Sequence, residues 1–173
     1  AVENELKQMI ADDNIEHVKG PVSWVSPLVI VNKPKPPGKI RVVLDSRAVN
    51  SSILRQLSPV KTLDDIIHQL NGSSVYSKLD LRSAFEQIQL HKDSRPNTAF
   101  SSHIGLFMFK RLCFGLNVSS EIFQTAMSQV LNGIPGVIQI VDDCLIYGAT
   151  VAEHDSALRA VVNRLLEHGL TLH

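Results

Sequence analysis

The stretch Val137-Ile138-Gln139-Ile140-Val141-Asp142-Asp143-Cys144-Leu145-Ile146-Tyr147 sets two apolar, β-prone runs on either side of adjacent carboxylates. Taking an uncompensated carboxylate out of water is costly, and two side by side also repel each other. The pair is therefore either the solvated tip of a hairpin, a position that Asp suits, or a place where a cation is held. Which of the two applies depends on what the rest of the chain brings alongside.

Working outward, Thr150 with Glu153 forms a capping box, and Val151, Ala157, Leu158, Val161 and Leu165, closed by Gly169, predict a last helix. Upstream, Ser119 or Ser120 can cap a helix whose apolar stripe is Ile122, Phe123, Ala126, Met127, Val130 and Leu131, ended by Asn132-Gly133. Thr98-Ala99-Phe100 and Phe107-Met108-Phe109 read as strands, and the second delivers Lys110 to Gly115 into a loop. Ser74 to Leu81 is a β-prone run ending at Asp80, and a helical turn follows over 82–88. Thr62 caps a helix running to Leu70 that starts with acids and stops at Asn71-Gly72. Leu28 to Val31 and Ile40 to Asp45 predict two strands joined by the proline-rich Lys33 to Lys39, giving a hairpin with a basic tip. Val2, Leu6, Met9 and Ile10 predict an opening helix. This order implies an α+β fold, with helices on one face of an antiparallel sheet.

With 44% hydrophobic and 20% charged residues, the composition is globular rather than disordered. No apolar run reaches the roughly 18 residues of a membrane-spanning helix, so no membrane is expected as a partner. The first residues lack a secretory signal and an initiator Met, which suggests a piece excised from a longer chain. Cys113 and Cys144 offer neither a disulfide framework nor zinc-ligand spacing, so both read as small buried hydrophobes in an intracellular, reducing setting. The histidines are scattered without a zinc-binding pair. Net charge is zero, yet its distribution is uneven. Lys33, Lys35, Lys39, Arg41, Arg47, Arg55 and Lys61 face the single acid Asp45 between residues 31 and 61, whereas residues 1–30 are acidic. A basic lobe beside an acidic pocket can hold a polyanion near metal-binding carboxylates, although a merely solvated basic face gives the same pattern.

Asp80 ends one expected strand, and Asp142 with Asp143 joins two others. If those strands are neighbours, three carboxylates converge. Such an oxygen-only donor set suits Mg²⁺, and two such ions about 3.5–4 Å apart serve in-line phosphoryl displacement. A helix N-cap would explain Asp80 equally well on local grounds.

Four ordered motifs narrow this: Leu44-Asp45-Ser46-Arg47-Ala48-Val49-Asn50; Ser77 to Ile88 with Asp80 and Phe85; Phe114-Gly115-Leu116 with Ile122-Phe123-Gln124; and Val141-Asp142-Asp143. In order and spacing they resemble reverse transcriptases of gypsy-type LTR retrotransposons, over nearly the whole chain. The resemblance implies a polymerase palm with an antiparallel sheet covered by helices on one face, plus a small β-hairpin fingers lobe. Fingers would occupy about 1–70 and 92–110, palm about 71–91 and 111–173, and the thumb, connection and RNase H would be absent. It implies Asp80, Asp142 and Asp143 as catalytic metal ligands with the Leu81 carbonyl beside them. Lys33 and Arg41 would hold the incoming triphosphate, Phe85 would exclude a 2′-hydroxyl, and Phe114 with Gly115 would lie against the nucleotide. Two Mg²⁺ ions, or Mn²⁺ in their place, are the implied cofactors. The implied partners are an RNA or DNA template with primer, a dNTP, and the thumb, RNase H, protease and integrase regions of the polyprotein. Cytoplasm or a virus-like particle is the implied setting.

The chain also departs from that pattern. Ile140 stands where Tyr is commonest, and Cys113, Ser120 and Ser46 replace Pro, Pro and an aromatic. The polymerase expectation therefore stands beside two rivals, a silent retroelement relic or co-opted nucleic-acid-binding domain, and a Mg²⁺ phosphohydrolase.

Overall fold

A computed structural model describes residues 1–32, 40–54, 63–140 and 143–173. The basic hairpin tip 33–39, the stretch 55–62 with the expected Thr62 cap, and Val141-Asp142 lie outside the described residues. Two compact units result, residues 1–55 with 85–119 and residues 56–84 with 120–173.

In the first unit, α1 (Val2–Ala11) follows the expected helical spacing and seats Leu6 in the core, with Val2 and Met9 against the same cluster. The Asp12 N–H closes the helix on the Gln8 carbonyl at 2.8 Å. A strand absent from the sequence reading comes next, β1 (Ile15–His17). Three residues are too few to show alternation. What makes them a strand is the edge of β6 (Gly105–Phe109), where Ile15 pairs with Phe109 and His17 with Phe107. On the other side of β6 lies β5 (Phe100–Ser102), and Phe100, Phe107 and Phe109 stack within the core.

The expected hairpin is present as β2 (Leu28–Asn32) and β3 (Ile40–Leu44), in register from Leu28 opposite Leu44 to Asn32 opposite Ile40. Val42 and Leu44 reach the core, whereas β2 leaves its apolar side chains half-exposed. Thr98 is not in a strand as the sequence suggested. It ends a 3₁₀ helix over Lys92–Thr98, because its hydroxyl donates back to the Arg95 carbonyl at 2.7 Å and accepts from the Phe109 N–H at 2.9 Å. The helical turn expected over 82–88 is a 3₁₀ turn, Ala84–Gln87.

A short helix, α2 (Arg47–Asn50), lets Asn50 tie two motifs together. Its side-chain N–H donates to the Gly115 carbonyl at 2.9 Å, and its side-chain oxygen accepts from the Asn117 N–H at 3.0 Å. Gly115, at φ +111°, passes so close to β3 that an added Cβ would stand 2.1 Å from the Leu44 carbonyl oxygen.

The second unit is built on an antiparallel sheet in the order β4 (Val75–Asp80), β8 (Asp143–Gly148), β7 (Val137–Ile140). Pairing puts Ser77, Leu79, Cys144, Ile146 and Gln139 on one face, and Tyr76, Lys78, Asp80, Asp143, Leu145, Tyr147 and Ile140 on the other. Helices α4 (Ser119–Leu131) and α5 (Val151–Glu167) both contact the first face. Ser128 of α4 bonds Gln139 at 3.2 Å, and the buried His154 of α5 bonds Ser77 at 2.9 Å. The Thr150–Glu153 capping box forms with a small displacement. Glu153 N–H donates to Thr150 Oγ1, and the Glu153 carboxylate accepts from Ala149 N–H rather than from the cap residue itself. Arg164 of α5 donates to the Val130 carbonyl at the end of α4. Helix α3 (Leu63–Leu70) belongs to this unit. Both cysteines are free and buried, and burial pushes the Cys113 thiol up to about 12 and the Cys144 thiol up to about 11, so neither is poised as a nucleophile.

Gly115→Ala should destabilise the first unit by about 2–4 kcal/mol, since it adds both backbone strain and an overlap with the Leu44 carbonyl. Urea unfolding of the chain and this variant measures the loss.

Candidate active site

The carboxylates are placed by strand register. Asp80 ends β4 and Asp143 begins β8, and the two are directly opposite each other with Ile140 of β7 on the far side of Asp143. Residues so paired have Cβ atoms about 4.5–5.5 Å apart and share a face. This is the face that α4 and α5 leave free, and Asp80 is exposed on it. The expectation that the strand bearing Asp80 neighbours the strand bearing Asp143 is met. Asp142 lies outside the described residues. Among the described residues, no group of three His, Cys, Asp or Glu gathers as a metal site.

Asp80 is therefore a strand end rather than a helix N-cap. Just beyond it the chain bridges Leu172: Arg82 N–H donates to the Thr171 carbonyl at 3.1 Å and His173 N–H donates to the Asp80 carbonyl at 3.0 Å. In such a non-hydrogen-bonded pair the central residue turns its own N–H and C=O away from the partner strand, so the Leu81 carbonyl is not consumed by the bridge.

Lys78 is a member of this site that sequence patterning did not identify. It lies two residues before Asp80 on the same face and diagonal to Asp143, with its ammonium 2.7 Å from Asp143 Oδ2. That hydrogen bond and the Asp143 charge hold the Lys78 ammonium above its usual range, and the Asp80 charge adds to the effect. Alternation within the strand would have put Lys78 and Asp80 on one face, but the partner could be known only from register.

Two oxygen-donor carboxylates facing each other on an open surface form a hard donor set that fits a small divalent cation. Asp80 and Asp143 would hold it, since register sets them opposite each other on one face of the sheet. Cys144, next to Asp143, points to the helix-covered face.

The first unit holds its own cluster. Arg41 of β3 lies with its guanidinium carbon 4.6 Å from the centre of the Phe114 ring, a cation–π arrangement, and Phe114 lies 5.0 Å from Phe85. Phe85 is 7% exposed, so within this unit it is a core aromatic. Lys33, expected beside Arg41, lies outside the described residues. Gly115 has a local structural cause in its approach to Leu44. Ser46, a departure from the family pattern, is buried and accepts from Asn50 at 3.3 Å. Asp45, whose carboxyl is lowered from its ordinary range by the hydrogen bond from Arg47, makes a two-pronged ion pair with that guanidinium at 2.8 and 2.7 Å. Arg47 is thereby positioned by its neighbour in the motif.

The chain is similar to known proteins in sequence and fold. A family model described as "Reverse transcriptase (RNA-dependent DNA polymerase)" matches residues 31–173. The chain is 32% identical over 178 residues to the retrovirus-related Pol polyprotein from transposon 412 of Drosophila melanogaster, covering 99% of this chain and 14% of that one. It is 32% identical over 173 residues to the Pol polyprotein from transposon gypsy of the same organism, covering 96% of this chain and 16% of the relative. The chain thus spans a small part of the curated relatives it matches. Among solved structures, a foamy viral protease-reverse transcriptase in complex with double-stranded DNA superimposes with a TM-score of 0.85 at 30% identity, covering 99% of this chain and 30% of that one. A prototype foamy virus protease-reverse transcriptase mutant gives the same score at 24% identity, over 99% of this chain and 22% of that one, and shows the shared fold. The mixed fold, with helices on one face of an antiparallel sheet, is that of these enzymes, and the resemblance to gypsy-type elements holds. On a family model that covers most of its length, the chain belongs to the reverse transcriptases.

Proposed function

We propose that this chain is the fingers and palm of an RNA-directed DNA polymerase from a retrotransposon polyprotein, with fingers over about 1–70 and 92–110 and palm over about 71–91 and 111–173. The compact units divide elsewhere, at 55, 84 and 119. The Phe85–Phe114 contact and the Gln89–Arg111 bridge tie those stretches to one another within the first unit. The proposed boundaries follow motif order instead.

The observation that carries the reading is the register that sets Asp80 against Asp143 on the sheet face the helices leave open. With Asp142 and the Leu81 carbonyl, these carboxylates would hold two Mg²⁺ ions, or Mn²⁺. The chemistry supplied there, once the ions are bound, is activation of the primer 3′-hydroxyl and neutralisation of the departing pyrophosphate. The chain's own part is to fix the carboxylates on adjacent strands, so that little reorganisation is needed as charge develops. Arg41, its flat face on Phe114 and without a carboxylate ion pair among the described residues, has its N–H edge available for phosphate oxygens of the dNTP, with Lys33 as its companion. Phe85, 7% exposed and packed on Phe114, would stiffen the surface that meets the sugar and so reject a 2′-hydroxyl, while Gly115 keeps the adjoining backbone free of a side chain. Template and primer would be recognised by shape and backbone, as pairing carries the sequence. The thumb, RNase H, protease and integrase of the parent polyprotein complete the set of partners, in the cytoplasm or a virus-like particle. Among the described residues no helix is long and apolar enough to cross a membrane.

Primer extension on poly(rA) with oligo(dT), dTTP and Mg²⁺ tests the proposal. Asp80→Asn, Asp142→Asn and Asp143→Asn should each lower the rate by about 10²–10³-fold or more, the scale of losing a central electrostatic contact. No extension even with a thumb joined to the chain would contradict the reading and favour a silent or co-opted domain. Phe85→Val should raise incorporation of rTTP relative to dTTP by about tenfold or more, measured in single-nucleotide extension.

A further inference from the structure

The face that carries Asp80 and Asp143 also carries a positive charge of its own. Of the described strand residues that register places there, Lys78 is the only cation; the others are Tyr76, Asp80, Ile138, Ile140, Asp143, Leu145 and Tyr147. Carboxylates directly opposite each other on neighbouring strands destabilise the pairing by mutual repulsion. The Lys78 ammonium, 2.7 Å from Asp143 Oδ2, offsets that repulsion. It also occupies one of the two oxygens that Asp143 offers a divalent ion. An ammonium donates hydrogen bonds and a metal ion accepts lone pairs, so both cannot use the same carboxylate oxygen in the same direction, and as like charges they repel at that range.

Lys78 can also withdraw. Its side chain is 64% exposed and ends a flexible four-carbon stem, whereas the Asp143 side chain is 35% exposed and fixed at the start of β8. The cost of giving up an exposed ion pair is small, which is what an exchangeable partner requires.

We propose that Lys78 is a positioning residue that acts as a built-in counter-ion: it neutralises Asp143 in the metal-free protein and yields that carboxylate to a divalent cation, so that metal binding is an exchange. This rests on reading Asp80 and Asp143 as metal ligands. Nothing in the family motifs quoted above assigns Lys78 such a role.

The test uses Mn²⁺ alone, titrated into the full chain without nucleotide or nucleic acid and followed by electron paramagnetic resonance, with thermal melts run in EDTA and in Mn²⁺. Lys78→Met should bind Mn²⁺ about three- to tenfold more tightly than the unaltered chain, as expected for removing one exposed charge–charge competitor. The same variant should melt lower in EDTA, and Mn²⁺ should close that gap. Lys78→Arg, which keeps the charge and its hydrogen bonds, should leave Mn²⁺ affinity no tighter than in the unaltered chain. A purely structural lysine would lower stability in both conditions and would not tighten the metal. Equal or weaker Mn²⁺ binding by Lys78→Met, with binding by the unaltered chain abolished in Asp143→Asn, overturns the counter-ion role and leaves the metal site standing. Mn²⁺ binding that is absent from every variant, or insensitive to Asp143→Asn, overturns the metal reading and this inference with it.

Discussion

One strand pairing organises the second unit. Six residues of β4 are matched to six of β8, from Val75 opposite Gly148 to Asp80 opposite Asp143, and every side chain in that ladder takes its face from the match. A slip by one residue would send Asp143 under the helices and bring Cys144 to the open surface. Two glycines and a histidine guard against it. Gly148 leaves room for the backbone of His154, which an added Cβ would meet at 2.6 Å, and Gly136 leaves room for the Tyr147 carbonyl, which a Cβ would meet at 2.7 Å. The His154 ring then bonds Ser77 on β4. The apolar packing on one face thus fixes where the charged groups emerge on the other.

The first unit follows the same logic with different materials. Its aromatic core anchors β5 and β6, and a backbone contact so close that only glycine fits ties the loop after β6 to β3. Asn50 closes that junction from the far side, accepting from one backbone amide and donating to one carbonyl. The stretches holding Asn50 and Gly115 are more than sixty residues apart in the chain, and their motif character has a structural reason as well as a proposed functional one. The ring of Phe114 serves both, as packing for Phe85 and as a platform for Arg41.

Long periodic segments are legible in the sequence alone. The stripe of α4, the capping box of α5 and the β2–β3 hairpin all carry local signals that tertiary contacts only reinforce. Strand β1 was not legible, because three residues have no period and owe their conformation to the edge of β6. Thr98 departs from its local pattern for a related reason: a β-branched residue beside two apolar ones reads as strand, yet its hydroxyl finds backbone partners that end a 3₁₀ helix. In the site, the carboxylates stood out by composition, since acids among apolar residues need a cause. Lys78 did not, because a lysine in an exposed strand position is ordinary until the residue diagonal to it is known. Ile140, set apart by comparison with its family, lies beside Asp143 and half-exposed, so it alters the surface near the carboxylates while supplying no ligand.

The central claim is that Asp80 and Asp143 form one divalent-cation site. Paramagnetic broadening of amide resonances during a Mn²⁺ titration of the isotope-labelled chain tests it most directly. Broadening should begin at Asp80, Leu81 and Asp143 and leave the opposite end of the same ladder, Val75 and Gly148, sharp until much higher Mn²⁺. Broadening that starts elsewhere, or that spreads evenly along β4 and β8, would contradict it.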